Sequence, residues 1–222
     1  MYLPPYFKGQ DAAHAIPLMR AHPFASLISV DDDGFPFVTH LPLHLELPEI
    51  MGEGEDEGKV EGAGLVLLGH VAKPNPHWRY LQARPKALVT FLGPHAYLSP
   101  QVYPDLARVP TWNYLAVHCA VEATLIEEAD AKDRLLKKLI GDHEPAYAAQ
   151  WRGLGEDFAR KMLAGITGFE LRVTTLQCKV KINQHRPEAH AAMYGMYAGG
   201  TENEQALAGW MKTLGLNTGE SS

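Results

Sequence analysis

The stretch GHVAKPNPHW, residues 69–78, concentrates the side chains best placed to do chemistry in this chain. An apolar run, Leu65-Val66-Leu67-Leu68, leads into it and predicts a buried strand over residues 65–72. Asn75 then stands at a natural helix cap, with Pro76 at the first helical position. A helix start leaves backbone N–H groups free and carries partial positive charge, which suits an anion such as a phosphate. Lys73, just upstream, adds a full positive charge. An ordinary strand-to-helix turn with a solvated lysine would show the same residues.

Other chemistries find less support. His40 and His44 fall on one strand face but about 13 Å apart, too far to share a metal. Neither His70 nor His77 completes a zinc spacing. The chain contains no G-x-S-x-G, no G-x-G-x-x-G and no phosphate-binding P-loop motif. The positive signal is a strand face. Pro42 falls mid-strand, where it cannot donate to a ladder, so it belongs at an edge, a bulge or a place where something approaches the backbone. Beside it stand Thr39, with a hydroxyl donor, and His40. On a later strand Trp112, Tyr114 and His118 point away from the apolar side, as at an interface or a ligand surface. A helix packed over that face is the alternative.

The elements that must position these groups are mostly strands. A short helix is predicted over 11–20, with Asp11 as cap and Pro17 interrupting it. A strand follows at 24–30, and then a hairpin turn at Asp31-Asp32-Asp33-Gly34. The next strand, 35–47, alternates: Phe35, Phe37, Thr39, Leu41, Leu43, Leu45 and Leu47 share one face. A Gly-rich acidic loop covers 53–61. After strand 65–72 come a helix at 76–83, a strand at 86–92, a turn at Gly93-Pro94 and a short strand at 96–98. The strand at 112–126 turns Leu115, Val117, Cys119, Val121, Ala123 and Leu125 one way. Amphipathic helices are predicted at 131–140 and 156–163, and strands at 166–174 and 179–182. The rest, from Pro187, reads as helix broken at Gly195 and Gly199-Gly200, with Ser221-Ser222 frayed. Many strands, short connections and a few helices indicate a mainly β (α+β) fold, a Greek-key or split β-barrel with peripheral helices.

Four segments together, GHVAKPNPHW, GPHAYLSP (93–100), PTWNY (110–114) and KINQHR (181–186), resemble the PaiB family of FMN-binding negative transcriptional regulators. MYLPPYF at the start and HPFASLISVDDDGFPFVTHLPL (22–43) are similar to that family too. The resemblance spans residues 1–186, with the motifs in family order. It departs at Lys73-Pro74-Asn75, where Arg-Ala-Asn is usual, at Gln101, where a Trp is expected, and at His185, where Asn is more usual. The resemblance implies a flavin split barrel over 1–186, with residues 187–222 a helical appendage packed on it. It also implies a homodimer with FMN at the interface and, through the family, a DNA or regulatory partner. The implied cofactor contacts are His70 and Lys73 to phosphate, with Val71 and Asn75 as neighbours. Residues Thr39, His40, Leu41, Pro42 and Leu43 would meet the flavin ring, and Lys181 and Gln184 lie on a polar terminal strand near it.

Composition narrows the function classes. The chain has 222 residues and a formal net charge of −6, which opposes non-specific attraction to nucleic acid. No basic recognition helix of a helix-turn-helix is evident. Its two cysteines, Cys119 and Cys178, form no C-x-x-C and read as buried free thiols, so a reducing cytoplasm is expected. Neither a signal peptide nor a membrane-spanning run is expected. The alternatives to an FMN-binding regulator are a flavin-dependent oxidoreductase and a haem-binding split barrel, and no catalytic residue is assigned.

Overall fold

The computed structural model describes residues 1–48, 64–105 and 107–217, without the side chain of Asp11. The predicted acidic loop and the frayed Ser221-Ser222 lie outside the described residues. In chain order the elements are α1 (Asp11–Ala21), β1 (Phe24–Val30), β2 (Pro36–Pro42), β3 (His44–Glu46), β4 (Val66–Ala72), α2 (His77–Ala83) and β5 (Lys86–Leu98). There follow β6 (Thr111–Ile126), α3 (Ala129–His143), α4 (Tyr147–Gly153), α5 (Glu156–Ala164), β7 (Ile166–Lys181), α6 (Pro187–Ala198) and α7 (Glu202–Thr213). The strands form one antiparallel sheet in the order β2-β1-β5-β6-β7-β4-β3. The fold is a split β-barrel with peripheral helices.

The β1–β2 hairpin turns where Asp31-Asp32-Asp33-Gly34 predicts it. Asp31 Oδ1 accepts from the Asp33 and Phe35 N–H groups, and Gly34 adopts a φ of 81° that other residues resist. The predicted strand 35–47 is divided. It leaves β1 at Pro42, and after a corner at Leu43 it pairs with β4 as β3. Pro42 has no N–H to continue the ladder, and Leu43 N–H bonds Pro23 O instead. Alternation survives the corner: Leu41 and Leu43 are buried, while Val38 and His40 are exposed. Phe35 is exposed, because it belongs to the turn.

Two predicted breaks are bulges instead. Gly93-Pro94 does not end β5; the register against β6 shifts by one residue between Leu92 and His95, and the strand runs on. A Cβ on Gly93 would sit 2.5 Å from Leu18 Cδ1, so the glycine is where α1 presses on the strand. Residues 166–174 and 179–182 are likewise parts of one strand, β7, which Lys181 ends. Thr174 is its extra residue opposite Ala120/Val121, and its hydroxyl donates to Ala120 O.

Among the helices, α1 begins after Gln10, so Asp11 is its first residue rather than its cap. It continues through Pro17, whose ring faces solvent. Gly141 lies inside α3 and Gly195 inside α6; the chain does break at Gly199-Gly200. The short helix α4 was not read from the sequence. One core takes Ile16, Leu18 and Met19 from α1, Leu27, Phe91, Leu115, Val117 and Phe169 from the strands, and Met193, Tyr197, Leu207 and Met211 from α6 and α7. Cys119 and Cys178 lie in it, buried and outside any disulfide. Burial pushes the Cys119 thiol up to about 12, with Cys178 adding to the effect, so it is inert as a nucleophile. No described helix is long and apolar enough to cross a membrane.

Candidate functional site

The GHVA strand and the turn after it form as expected, one residue late. β4 ends at Ala72, Lys73 N–H bonds Gly165 O at 2.8 Å, and Asn75 N–H bonds Ala72 O at 2.8 Å. The cap position of α2 is Pro76 rather than Asn75, but Asn75 still caps through its side chain: Oδ1 accepts from His77 N–H at 3.0 Å. That bond occupies one of the free N–H groups on which an anion would rely, and α2 is only seven residues long. Trp78 Nε1 donates to Lys73 O at 3.0 Å and pins the turn from the other side. The Lys73 side chain is exposed and makes no ion pair among the described residues.

His77 is the group that sequence reasoning missed. Its side chain is wholly buried, and Nδ1 lies 2.7 Å from Thr39 Oγ1. Asn75 Nδ2 donates to the same hydroxyl at 3.3 Å. Phe37 meets the imidazole edge-on, with centroids 5.1 Å apart. Burial pushes the imidazole down to about 4, so it is neutral near pH 7. Its Nε2 is buried without a partner among the described residues, as is Nδ1 of His70 on β4; burial also lowers the pKa of His70. The sequence did hold a signal for this burial. His77 and Leu81 are four apart, one helical turn, and both are buried. Thr39 therefore turns inward to this cluster, and only His40 stands on the outer face beside Pro42. Leu41, Leu43 and Val71 belong to the core.

A second group of the predicted residues lies at the far end of β7. Lys181 Nζ donates to Thr111 Oγ1 and to Trp112 O, both at 2.6 Å, and sits 5.8 Å from the centre of the Tyr114 ring. Burial, with Lys179 adding to it, holds the Lys181 ammonium below the usual lysine range. Gln184 is tied to its own backbone: Oε1 accepts from Ile182 N–H, and Nε2 donates to Val180 O. Lys73 meets the start of β7 and Lys181 closes it, at opposite ends of a 16-residue strand. Within one chain the predicted contacts thus fall into two groups.

Register adds a feature that no motif displays. His40, Ser26, Thr90, His118 and Gln177 are cross-strand neighbours in one row over β2, β1, β5, β6 and β7. His40 Nδ1 lies 3.0 Å from Ser26 Oγ. Desolvation, with the N-terminal ammonium and Lys179 adding to it, lowers the His118 pKa. The same face carries Phe24, Val38 and Leu92, and past the β5 bulge Tyr97 and Trp112; Leu92 is 56% and Trp112 53% exposed. No described helix covers these side chains. Among the described residues no cluster of His, Cys, Asp or Glu could hold a metal.

Comparison with known proteins bears on the family and the fold. Residues 1–175 match the model of a family described as "Putative FMN-binding domain". The chain is 32% identical over 189 residues to the Bacillus subtilis protease synthase and sporulation protein PAI 2, covering 85% of this chain and 84% of that protein. Among solved structures, the flavocytochrome Anf3 of Azotobacter vinelandii superposes with a TM-score of 0.56 at 17% identity, over 80% of this chain and 71% of that one. The FAD and haem binding protein of Mycobacterium smegmatis does so with 0.52 at 17%, over 87% and 80%. At those identities the two structures speak to the fold alone. The residues present fit a flavin phosphate ester: buried ring nitrogens at His70 and His77 without a hydrogen-bond partner among the described residues, an exposed Lys73 without an ion pair among them, and a sheet face of exposed apolar side chains crossed by a polar row whose Gln177 end accepts a hydrogen bond from the N-terminal ammonium. The chain belongs to the PaiB-type family of FMN-binding split-barrel proteins.

Proposed function

We propose that the protein is a cytoplasmic, homodimeric FMN-binding regulator whose cofactor site is completed only by a second copy. The observation that carries this reading is the outer sheet face, where exposed Phe24, Val38, Leu92, Tyr97 and Trp112 border the polar row from His40 to Gln177. A face of this kind suits both an aromatic ring system with polar edges and a second sheet. One subunit would offer the backbone at residues 39–43 to the flavin ring, and Lys73, with His70, Val71 and Asn75 beside it, to the phosphate end. The other would offer Trp112, Tyr114, His118, Lys181 and Gln184. The cofactor would supply redox chemistry or a redox-sensitive signal; the chain's residues bind and orient it.

The regulatory role rests on the PaiB resemblance, and we place its output in a partner rather than in direct operator reading. The basic residues of α3 are mostly engaged: Lys137 pairs with Asp133 at 2.5 Å, Lys138 with Glu46, and Lys132 is buried. That leaves Arg134 as its exposed cation without an ion pair among the described residues. The cytoplasmic placement is supported by two buried cysteines that form no disulfide.

Two measurements test the reading. A dimer of this type buries on the order of 2,000 Å² or more, so sedimentation should show a dimer at micromolar concentration. Trp112→Glu should shift it towards monomer and weaken FMN binding with it. A wild-type monomer would remove the shared site. Lys73→Ala should leave the fold intact, because an exposed lysine next to a proline contributes little packing. It should weaken FMN by about one to two decades, the worth of one charge-assisted hydrogen bond. Quenching of flavin fluorescence on titration into apo-protein reads this directly, with Lys212→Ala on the exposed side of α7 as control. Equal affinities would remove Lys73 from the site.

A further inference from the structure

Lys132 stands out as a charge with too little around it. It lies in the first turns of α3 and is only 8% exposed. An ammonium carries three donors, and the recorded partner of this one is a single carbonyl, Leu163 O near the C-terminus of α5, at 3.4 Å. No carboxylate of the described residues comes within 4.0 Å of it, and buried lysines are rare unless paired. Beside it opens a cavity of about 270 Å³, lined by Lys73, Trp78, Glu127, Lys132 and Thr167. Two lysines, Lys73 and Lys132, therefore line one small space, and neither makes an ion pair among the described residues. Thr167 is buried and brings a hydroxyl from the start of β7. The indole of Trp78 forms a wall, its N–H committed to Lys73 O. Glu127, exposed at the end of β6, is the one opposing charge.

We infer that this cavity is a phosphate-binding pocket in which Lys132, together with Lys73, holds a tetrahedral oxyanion. Two cations against one carboxylate leave a net positive charge. Thr167 can donate a further hydrogen bond, and the buried position of Lys132 strengthens its attraction by excluding water. The volume is ample for one phosphate-sized group together with ordered water. Lys132 belongs to none of the segments that carry the family resemblance, and three elements distant in sequence (the turn after β4, the start of α3 and the start of β7) must come together to form the pocket. The phosphate could be that of the bound cofactor or a separate phosphate, and the pocket's chemistry is the same for both. The first of these sources rests on the FMN reading above; the pocket itself does not.

The test uses inorganic phosphate as probe, titrated calorimetrically into apo-protein and into protein preloaded with FMN. Lys132→Met keeps the aliphatic stem and removes the charge. It should weaken phosphate binding to apo-protein by about ten- to a hundred-fold. Glu127→Gln should strengthen it several-fold, which a purely structural role for Lys132 would not produce, and Lys212→Met should change nothing. If FMN loading abolishes phosphate binding, and Lys132→Met weakens FMN but not riboflavin, the pocket holds the cofactor's phosphate. If FMN-loaded protein still takes up phosphate unchanged, the pocket serves a separate phosphate. Both results support the pocket. Should wild-type apo-protein fail to bind phosphate, or bind it as well after Lys132→Met, the inference is overturned. A protein that binds phosphate through Lys132 but never FMN would leave the pocket standing and remove the flavin reading.

Discussion

Acidification from pH 6.5 to 4 should remove at most about 3 kcal/mol of folding stability through His77 alone. The imidazole has an ordinary value of 6.5 when the chain is unfolded and about 4 when folded. Between those values the unfolded chain binds the proton and the folded chain does not. Stability contributed by the neutral ring is therefore complete above pH 6.5, falls as pH drops, and levels off below about 4. The cause is local: protonation would place a charge in a fully covered site beside Phe37, with Nε2 lacking a partner among the described residues. Carboxylates elsewhere titrate in part of the same range, so the decisive measurement is a difference. Urea unfolding of the wild type and of His77→Gln at pH 7, 5.5 and 4 should give an advantage to the wild type at pH 7, where its bond to Thr39 is worth about 1 kcal/mol. That advantage should shrink and then reverse by pH 4. Parallel curves for the two proteins would show that the ring is not buried neutral.

Gly69→Val should cost about 3 kcal/mol or more, for a reason unrelated to backbone freedom. A Cβ at this position would lie 2.5 Å from Leu43 Cδ2, 3.1 Å from Phe169 Cε2 and 3.3 Å from Leu41 Cδ1. Overpacking a filled core by this amount costs about 1–3 kcal/mol even when side chains can shift, and a branched side chain adds two more methyl groups. The relief has a direction. Phe169 is fully buried and has little room to move, so Leu41 and Leu43 must give way, and they flank Pro42 at the corner between β2 and β3. The milder Gly69→Ala should accordingly lower FMN affinity as well as melting temperature, because residues 39–43 are the proposed ring contacts. Gly195→Ala, inside α6 with open space around its Cβ position, should instead stabilise by up to about 1 kcal/mol. Similar melting curves for Gly69→Val and the wild type would mean that the corner is soft.

Strand alternation was the most legible level of this structure. Leu115, Val117, Cys119 and Val121 alternate because β6 turns that face to the core, and a period of two records that directly. The bulges were not legible. Gly-Pro marks a turn and a bulge alike, and what decides between them at Gly93 is Leu18, a residue 75 positions earlier. The corner at Leu43 was hidden for a related reason: the alternation runs through it unbroken while the pairing partner changes. Of the candidate site, the motif around Lys73 was visible locally, as was the aromatic face at Trp112 and Tyr114. The Thr39–His77 contact joins residues 38 apart, and the row from His40 to Gln177 exists only once register is known. Sequence position says nothing about which charges share a cavity, so Lys132 read as one more residue of an amphipathic helix.

The corner at Leu43 also bears on self-association. The sheet has two outermost strands, β2 and β3, and they are consecutive in the chain, so one segment supplies both margins. An outermost strand with free N–H and C=O groups is a template for unwanted strand addition and amyloid growth. Here β3 is three residues long, and β2 both begins and ends with a proline. A proline offers no N–H to an incoming strand. The same short stretch that closes the barrel thereby makes both of its margins poor seeds for aggregation, so the proposed dimer would form through the broad face of the sheet rather than its edges.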